Sequence, residues 1–462
     1  MSTPIPDVII TNTLKEYELA YGKNVISCYD NNSASPLFVC QIYNSGSTTA
    51  TFDVRQFCNL AGYAHFDIQN LLKSQLGYLD NIETITRLTT HSNEVYGYQA
   101  KLGYVSNDVV TLQVSSSTRY VLPGRKAVTE VEWDSSDYLP QLNSGSALGI
   151  DTLIVYTKQK ALTDRHIEST TGAAITDGKP SFVSSGDTVW KIEVKRGNDY
   201  TISFLNDWVN FVNGPPEFYN GISTFLIAAY SGSTELYNSQ LPNTVGNGGG
   251  PNTATSGQSG SVAPEYKVLS VQVGNSSQPL GTYLATATHV YVCPAAWNSE
   301  NFASYSDLSD IYRIDITDCE GRDFDTYQVS WINSFGFRDY FHFTKRDDNV
   351  NNVTRNTFKK LDADWGGATI SVNSYDRGEK VLNQMLSDEY TINTRYLTDA
   401  EMGYLKNLIL SPDVRVKFPG QSTWVSVIPT TNQWTSRTFR KDKLFQLTYS
   451  FRLANPIQLQ NG

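Results

Sequence analysis

This amino-acid sequence predicts a mainly β protein of several domains with a few short flanking helices, and three observations predict it. Apolar and polar residues alternate along several stretches, the period of a strand with one face buried. The chain carries 28 Tyr, 20 Phe and 8 Trp, while only 18% of it is charged, a profile of half-buried strands. Its 462 residues exceed what one hydrophobic core usually serves.

Taken in order, the N-terminus MSTPIPDVII lacks the basic segment and apolar stretch of a secretory signal. No window approaches the roughly 18 uninterrupted apolar residues of a membrane helix, so no span is expected. Asp67 is placed to cap a first helix whose Ile68, Leu71, Leu72, Leu76 and Leu79 share one face, packed on a sheet. Val110, Leu112 and Val114 alternate as a strand. Asn143-Ser144-Gly145-Ser146, within Tyr138 to Leu148, marks a domain boundary.

Trp190, Ile192 and Val194, then the turn residues Arg196-Gly197-Asn198-Asp199, then Tyr200, Ile202 and Phe204 predict a β-hairpin. Trp208, Phe211, Phe218 and Tyr219 surround Gly214-Pro215-Pro216. Packed inward they are core; exposed, they would stack on sugar rings or anchor a protein partner. Residues 242–264 hold almost no large apolar side chain and form a long Gly-rich loop inside one domain. Leu269, Val271 and Val273 resume the strand pattern, and a second boundary falls near Ser304 to Asp310.

Asp347-Asp348-Asn349 followed by Asn351-Asn352 offers hard oxygen ligands, but without EF-hand spacing or the closing Glu it reads as a polar turn. Thr398-Asp399-Ala400-Glu401 is a capping box opening a helix with Met402, Leu405, Leu408 and Ile409 on its buried stripe; Ser411-Pro412 ends it. Val414, Val416 and Phe418 follow as a strand. Phe445, Leu447, Tyr449, Phe451 and Leu453 form the longest strict alternation.

Charge and reactive side chains narrow the function. A net charge of -10 and an isoelectric point near 5.1 disfavour a broad nucleic-acid or anionic-membrane surface. Cys28, Cys40, Cys58, Cys293 and Cys319 are odd in number and widely spaced, the pattern of reduced thiols made in a reducing cytosol. His65, His91, His166, His289 and His342 include no helical metal pair. There is no GxSxG elbow, P-loop or Rossmann pattern, and Gly248-Gly249-Gly250 lacks the following Lys-Ser/Thr. Asp362 with Asp364, and Asp323 with Asp325, are the nearest candidates for paired carboxylates, and in loops such pairs read as solvated charges. No catalytic residue, cofactor or metal is expected.

WINSFGFRDYFHF, Trp331 to Phe343, resembles a recurring pattern of tailed-bacteriophage virion proteins, particularly of phages infecting Bacteroidetes; Asn333, Gly336, Asp339, Tyr340 and Phe343 carry it. GYAHFDIQNLLKSQLG, Gly62 to Gly77, and YLTDAEMGYLKNLILSPDVRVKF with the following WVSVIP resemble the same proteins. The C-terminal order of strand, capped helix, Ser-Pro stop, strand and hairpin resembles the β-sandwich or barrel with a flanking helix of tail-tube and distal-tail hub subunits, a module that adaptors and capsid decorations also use. The resemblance implies a non-enzymatic component of the virion tail, assembled in the host cytoplasm. It would form a homo-oligomeric ring at the tail or baseplate hub and dock other tail, baseplate or fibre proteins. Its domains would be 1–145, β with one helix; 146–308, a sandwich with the Gly-rich loop; and 309–462, tail-tube-like with a helix at 399–410. A receptor- or carbohydrate-binding virion protein is the first alternative, with Trp208, Phe211, Phe218 and Tyr219 as its contacts. A particle-borne polysaccharide-degrading enzyme is the second.

Overall fold

The computed structural model describes residues 7–12, 15–31, 37–77, 88–90, 94–125, 135, 139, 141–142, 156–157, 159–163, 173–176, 179–182, 192–206, 222, 224–242, 268–274, 280–297, 305–307, 309, 311–318, 324–359, 367–369, 379–433, 446–455 and 457–458. The protein is mainly β, built of several sheets with three short helices among the described residues. It divides into two compact units: Met1–Asp318 with Asn333–Asp339, and Cys319–Ile332 with Tyr340–Gly462.

The first unit begins with a three-stranded sheet, Val8–Asn12, Val25–Asp30 and Tyr63–Asp67, and a larger sheet in the order Tyr17–Leu19, Arg119–Leu122, Tyr96–Ser106, Leu37–Asn44 and Ala50–Phe57. Ile26, Cys28 and Phe66 from the former share a core with Phe38, Cys40 and Leu102 from the latter. Helix α1, Gln69–Lys73, adds Leu72 to this core. The helix is shorter than its apolar spacing predicts. Ser74 turns its hydroxyl onto the Leu71 carbonyl at 2.7 Å, and Gln75 and Leu76 donate to Leu72 and Lys73, three residues back, which tightens and ends the last turn. Asp67 does not occupy the cap position, which is Ile68, but its carboxylate accepts the Gln69 N–H at 3.0 Å. Leu79 lies outside the described residues.

The same unit continues as two packed sheets. One runs Ile192–Lys195, Tyr312–Thr317, His289–Trp297, Thr224–Ser231 and Thr234–Pro242; the other runs Tyr200–Leu205, Val268–Val273 and Leu88–Thr90, with Val268–Val273 in the middle. The ring of Phe204 meets Phe225 at 5.7 Å and Tyr312 at 5.4 Å. The hairpin expected at 190–204 does not form. Ile192–Lys195 pairs in parallel with Tyr312–Thr317, whereas Tyr200–Leu205 pairs antiparallel with Val268–Val273 in a different sheet. The turn is real, with Gly197 at φ +89° and Asn198 donating to Lys195, but the chain changes sheet through it. Every residue of Tyr200–Leu205 is buried, including the alternating polar ones; Ser203 meets Ser270 at 2.6 Å, so a polar residue in alternation here signals a hydrogen bond and not water. Helix α2, Leu280–Leu284, lies in this unit, and Arg196 donates to the Leu284 and Ala287 carbonyls at its end. Pro242 ends a strand, and the rest of the Gly-rich segment is outside the described residues.

The second unit is built on one eight-stranded sheet, of which only Arg338 and Asp339, at the start of one edge strand, fall in the first unit. Its order is Arg338–Phe343, Tyr327–Ile332, Val414–Lys417, Val425–Pro429, Thr448–Leu453, Glu379–Asn393 and Asp348–Lys359, with Ile457–Gln458 also pairing with Glu379–Asn393. Helix α3, Asp399–Leu410, covers one face. Thr398 and Glu401 form the reciprocal capping box, with Glu401 N–H to Thr398 Oγ1 at 3.3 Å and Thr398 N–H to Glu401 Oε2 at 3.0 Å. Leu405 and Leu408 are buried with Tyr404, whose ring meets Trp331 edge-on at 5.1 Å. The final strand buries Tyr449 and Phe451, as the alternation predicts.

Candidate interaction surface

The feature of the second unit that stands apart from its packing is a two-stranded ribbon. Asp348–Lys359 has 12 residues, all exposed, and pairs antiparallel with the 15-residue strand Glu379–Asn393. Thr448–Leu453 and Ile457–Gln458 support the second strand only from Met385 onward, so residues 379–384 pair with the first strand alone among the described residues. A two-stranded ribbon is marginal in water unless it packs on something. Yet this one exposes Val350, Val353, Phe358, Leu382 and Met385, with Leu382 57% accessible. Leu382 is the extra residue of a bulge between the pairs Asn356↔Asn383 and Thr357↔Val381. The bulge is therefore on the inner strand, and the outer strand is regular and has no further strand partner among the described residues.

Sequence reasoning missed this surface. Asp347 to Asn352 reads as a polar turn, but Asp348 opens a long strand. The Asn-rich run DNVNNVTRNTFK has no period of two, because a strand exposed on both faces needs none. The 12 residues contain no Gly or Pro, but Asp348 and the four asparagines are residues that turns also favour, so the run does not read as a strand.

The segment carrying the phage resemblance takes the opposite form. Within the first unit, Asn333–Asp339 is a buried turn organised by one side chain. Asn333 Oδ1 accepts the N–H groups of Phe335 and Phe337, both at 3.0 Å, and its Nδ2 donates to the Leu162 carbonyl at 3.0 Å and to Asp339 Oδ2 at 3.2 Å. Thr163 donates to Asp339 Oδ1 at 2.6 Å. Gly336 stands at φ +90°, where a Cβ would collide with Pro123. Asn333, Gly336 and Asp339 thus build a turn: every polar atom named here has a hydrogen-bond partner in the same unit, which is what burial demands.

Trp208, Phe211, Phe218 and Tyr219 lie outside the described residues, as do Asp323, Asp362, Asp364, His91, His166, Cys319 and Gly248-Gly249-Gly250. The remaining histidines are dispersed: His65 Nδ1 is 2.8 Å from Ser27 Oγ, His289 Nδ1 is 3.0 Å from Thr288 Oγ1, and His342 is buried in the second unit. Among the described residues no group of three or more His, Cys, Asp or Glu is placed to hold a metal, and no helix is long and apolar enough to cross a membrane. Cys28, Cys40 and Cys293 are buried and unbridged, and Cys58 is half-buried. Burial pushes the Cys28 and Cys40 thiols up to about 12. Asp347 accepts a hydrogen bond from the Tyr327 hydroxyl at 2.6 Å.

Fold and surface together define a multi-domain β protein with an open, partly apolar strand edge. No family model matches the chain, and no curated protein matches it either.

Proposed function

We propose that the chain is a structural component of a tailed-phage virion. Copies of it assemble into a ring in the tail or at the baseplate hub and dock neighbouring tail, baseplate or fibre proteins. The observation that carries this reading is the exposed ribbon: a strand of 12 residues without a buried position, next to a sheet whose interior is well packed. Such an edge invites association with another chain. The resemblance of Trp331 to Phe343 to phage virion proteins supplies the setting. The reading assigns the protein no covalent chemistry and places it in the particle, assembled in the host cytoplasm.

Mass photometry of the purified full-length protein across a concentration series, followed by negative-stain imaging, tests it. Closed rings of a defined copy number are the expected result. A monomer at every concentration, alone and with lysate of phage-infected cells, overturns it.

A further inference from the structure

We infer that one water molecule is an integral part of the N-terminal core, held between the Tyr98 hydroxyl, the Arg119 Nε–H and the Ser116 hydroxyl oxygen. The inference concerns a site inside the first unit and does not depend on the assembly reading above.

Three observations lead there. First, two buried polar atoms border one cavity. Ile10 and Ile26 of the three-stranded sheet line it from one side, and Tyr98, Ala100, Ser116 and Arg119 of the larger sheet and its connection line it from the other. Tyr98 and Arg119 stand directly opposite each other on paired strands. Tyr98 is 1% exposed, yet its hydroxyl has no hydrogen-bond partner among the described residues, and neither has the buried Nε of Arg119. Buried polar atoms are nearly always satisfied, by protein or by ordered water. The cavity they share is where a common partner fits.

Second, the site lies where the strand ladder is interrupted. Lys101 pairs with Ser115 and Tyr98 with Arg119, so the stretch 116–118 faces only Gln99 and Ala100 and carries one residue too many for regular pairing. Ser116 bridges the irregularity: its N–H donates to the Ala100 carbonyl at 2.8 Å, and its Oγ accepts the Ala100 N–H at 3.0 Å. The Ser116 hydroxyl proton goes to the Ser117 carbonyl at 2.8 Å. A hydroxyl oxygen has two lone pairs, so one remains to accept a further bond.

Third, size and hydrogen-bonding capacity select water. The cavity measures about 10 Å³, room for a single water. Arg119 Nε offers only a proton, Ser116 Oγ only a lone pair, and the Tyr98 hydroxyl either one. The occupant must therefore accept from Arg119 and donate to Ser116. Water does both and reaches the three bonds usual for a buried water, whereas a halide ion can only accept. The charges agree: burial and the Glu18 carboxylate raise the Tyr98 hydroxyl above its ordinary value while Arg119 lowers it, so the hydroxyl stays neutral and the two charges oppose each other there.

The test uses the full-length chain. Oxygen-17 magnetic relaxation dispersion counts long-lived internal waters in solution. Tyr98→Phe and Arg119→Met should each lower that count by one, and the double variant should also lower it by one and not two, because both side chains hold the same molecule. A crystal structure of the parent should show one density peak within hydrogen-bonding distance of Tyr98 Oη, Arg119 Nε and Ser116 Oγ, with no anomalous peak there after a bromide soak. Should Arg119→Met fail to fold, Tyr98→Phe and the parent crystal decide. An unchanged count in Tyr98→Phe, or no density peak at the three atoms, overturns the inference. A bromide peak overturns it as well and assigns the site to an anion.

Discussion

The two edges of the eight-stranded sheet are separated by four residues, yet they have opposite fates. Arg338–Phe343 reads RDYFHF and is buried throughout; Asp348–Lys359 reads DNVNNVTRNTFK and is exposed throughout. The buried edge carries aromatics and the charged pair Arg338 and Asp339, and Asp339 is hydrogen-bonded by Thr163 and Asn333. The exposed edge carries four asparagines, two threonines and scattered apolar residues. One edge strand is buried at every residue and the other exposed at every residue, and an exposed edge strand presents main-chain donors and acceptors to water.

The largest expected effect lies in the cover of the sheet. Leu405 is fully buried between α3 and the strand that carries Trp331. Leu405→Asp should cost at least about 3 kcal/mol, since an unpaired carboxylate replaces core packing. Chemical denaturation measures this directly, and unchanged stability would mean that the helix face is not packed as described. At the buried turn, Asn333→Ala removes the acceptor for two buried N–H groups and the donor to Leu162 and Asp339. A loss of about 3 kcal/mol is expected, with cooperative unfolding retained; a loss under about 1 kcal/mol would show that water replaces the side chain.

Alkali should separate interior from edge in a third way. Burial raises the Tyr449 hydroxyl above its ordinary value and raises the Cys28 and Cys40 thiols to about 12. In the unfolded chain thiols lose protons near 8.5 and phenols near 10. Between those values and the raised folded ones the unfolded state binds fewer protons than the native state, so stability falls as pH rises. The thermal midpoint should hold from pH 7 to 8 and decline above about 9. Tyr449→Phe should flatten the part of the decline above about 10, and an unchanged slope would show that this hydroxyl does not contribute.

How much of this was legible in the sequence follows from what each residue faces. Helix α3 was readable to the residue because its signals are local: Thr398 and Glu401 cap each other three positions apart, and Pro412 stops the chain. The final strand was readable because one of its faces is buried, which imposes the alternation of Tyr449 and Phe451 with Ser450 and Arg452. The segment 190–204 misled because a turn sequence specifies the reversal of the chain but not whether the next strand rejoins the same sheet. Helix α1 was overextended because Leu76 keeps helical spacing while a serine hydroxyl bonded to the Leu71 carbonyl helps end the helix before it. The turn at Asn333 was noticed only as a resemblance, since its hydrogen bonds to Leu162 and Thr163 join residues about 170 apart. The ribbon was not legible, because a strand with no buried face leaves no periodic trace.

That last point yields the smallest expected effect on folding and the sharpest contrast between the two edges. Phe358 is 43% exposed on the outer strand, and its neighbour across the ribbon is Lys380. Phe358→Ser removes apolar surface that is still largely in water, so stability at low protein concentration should change by no more than about 0.5 kcal/mol. Under the proposed assembly, self-association should in contrast weaken, because that surface is withdrawn from water only when another chain lies against it. Denaturation of dilute protein and mass photometry of concentrated protein read the two quantities separately. A large loss of stability in the dilute sample would mean that Phe358 packs within its own chain, and the ribbon would then be an ordinary part of the sheet and not an open edge.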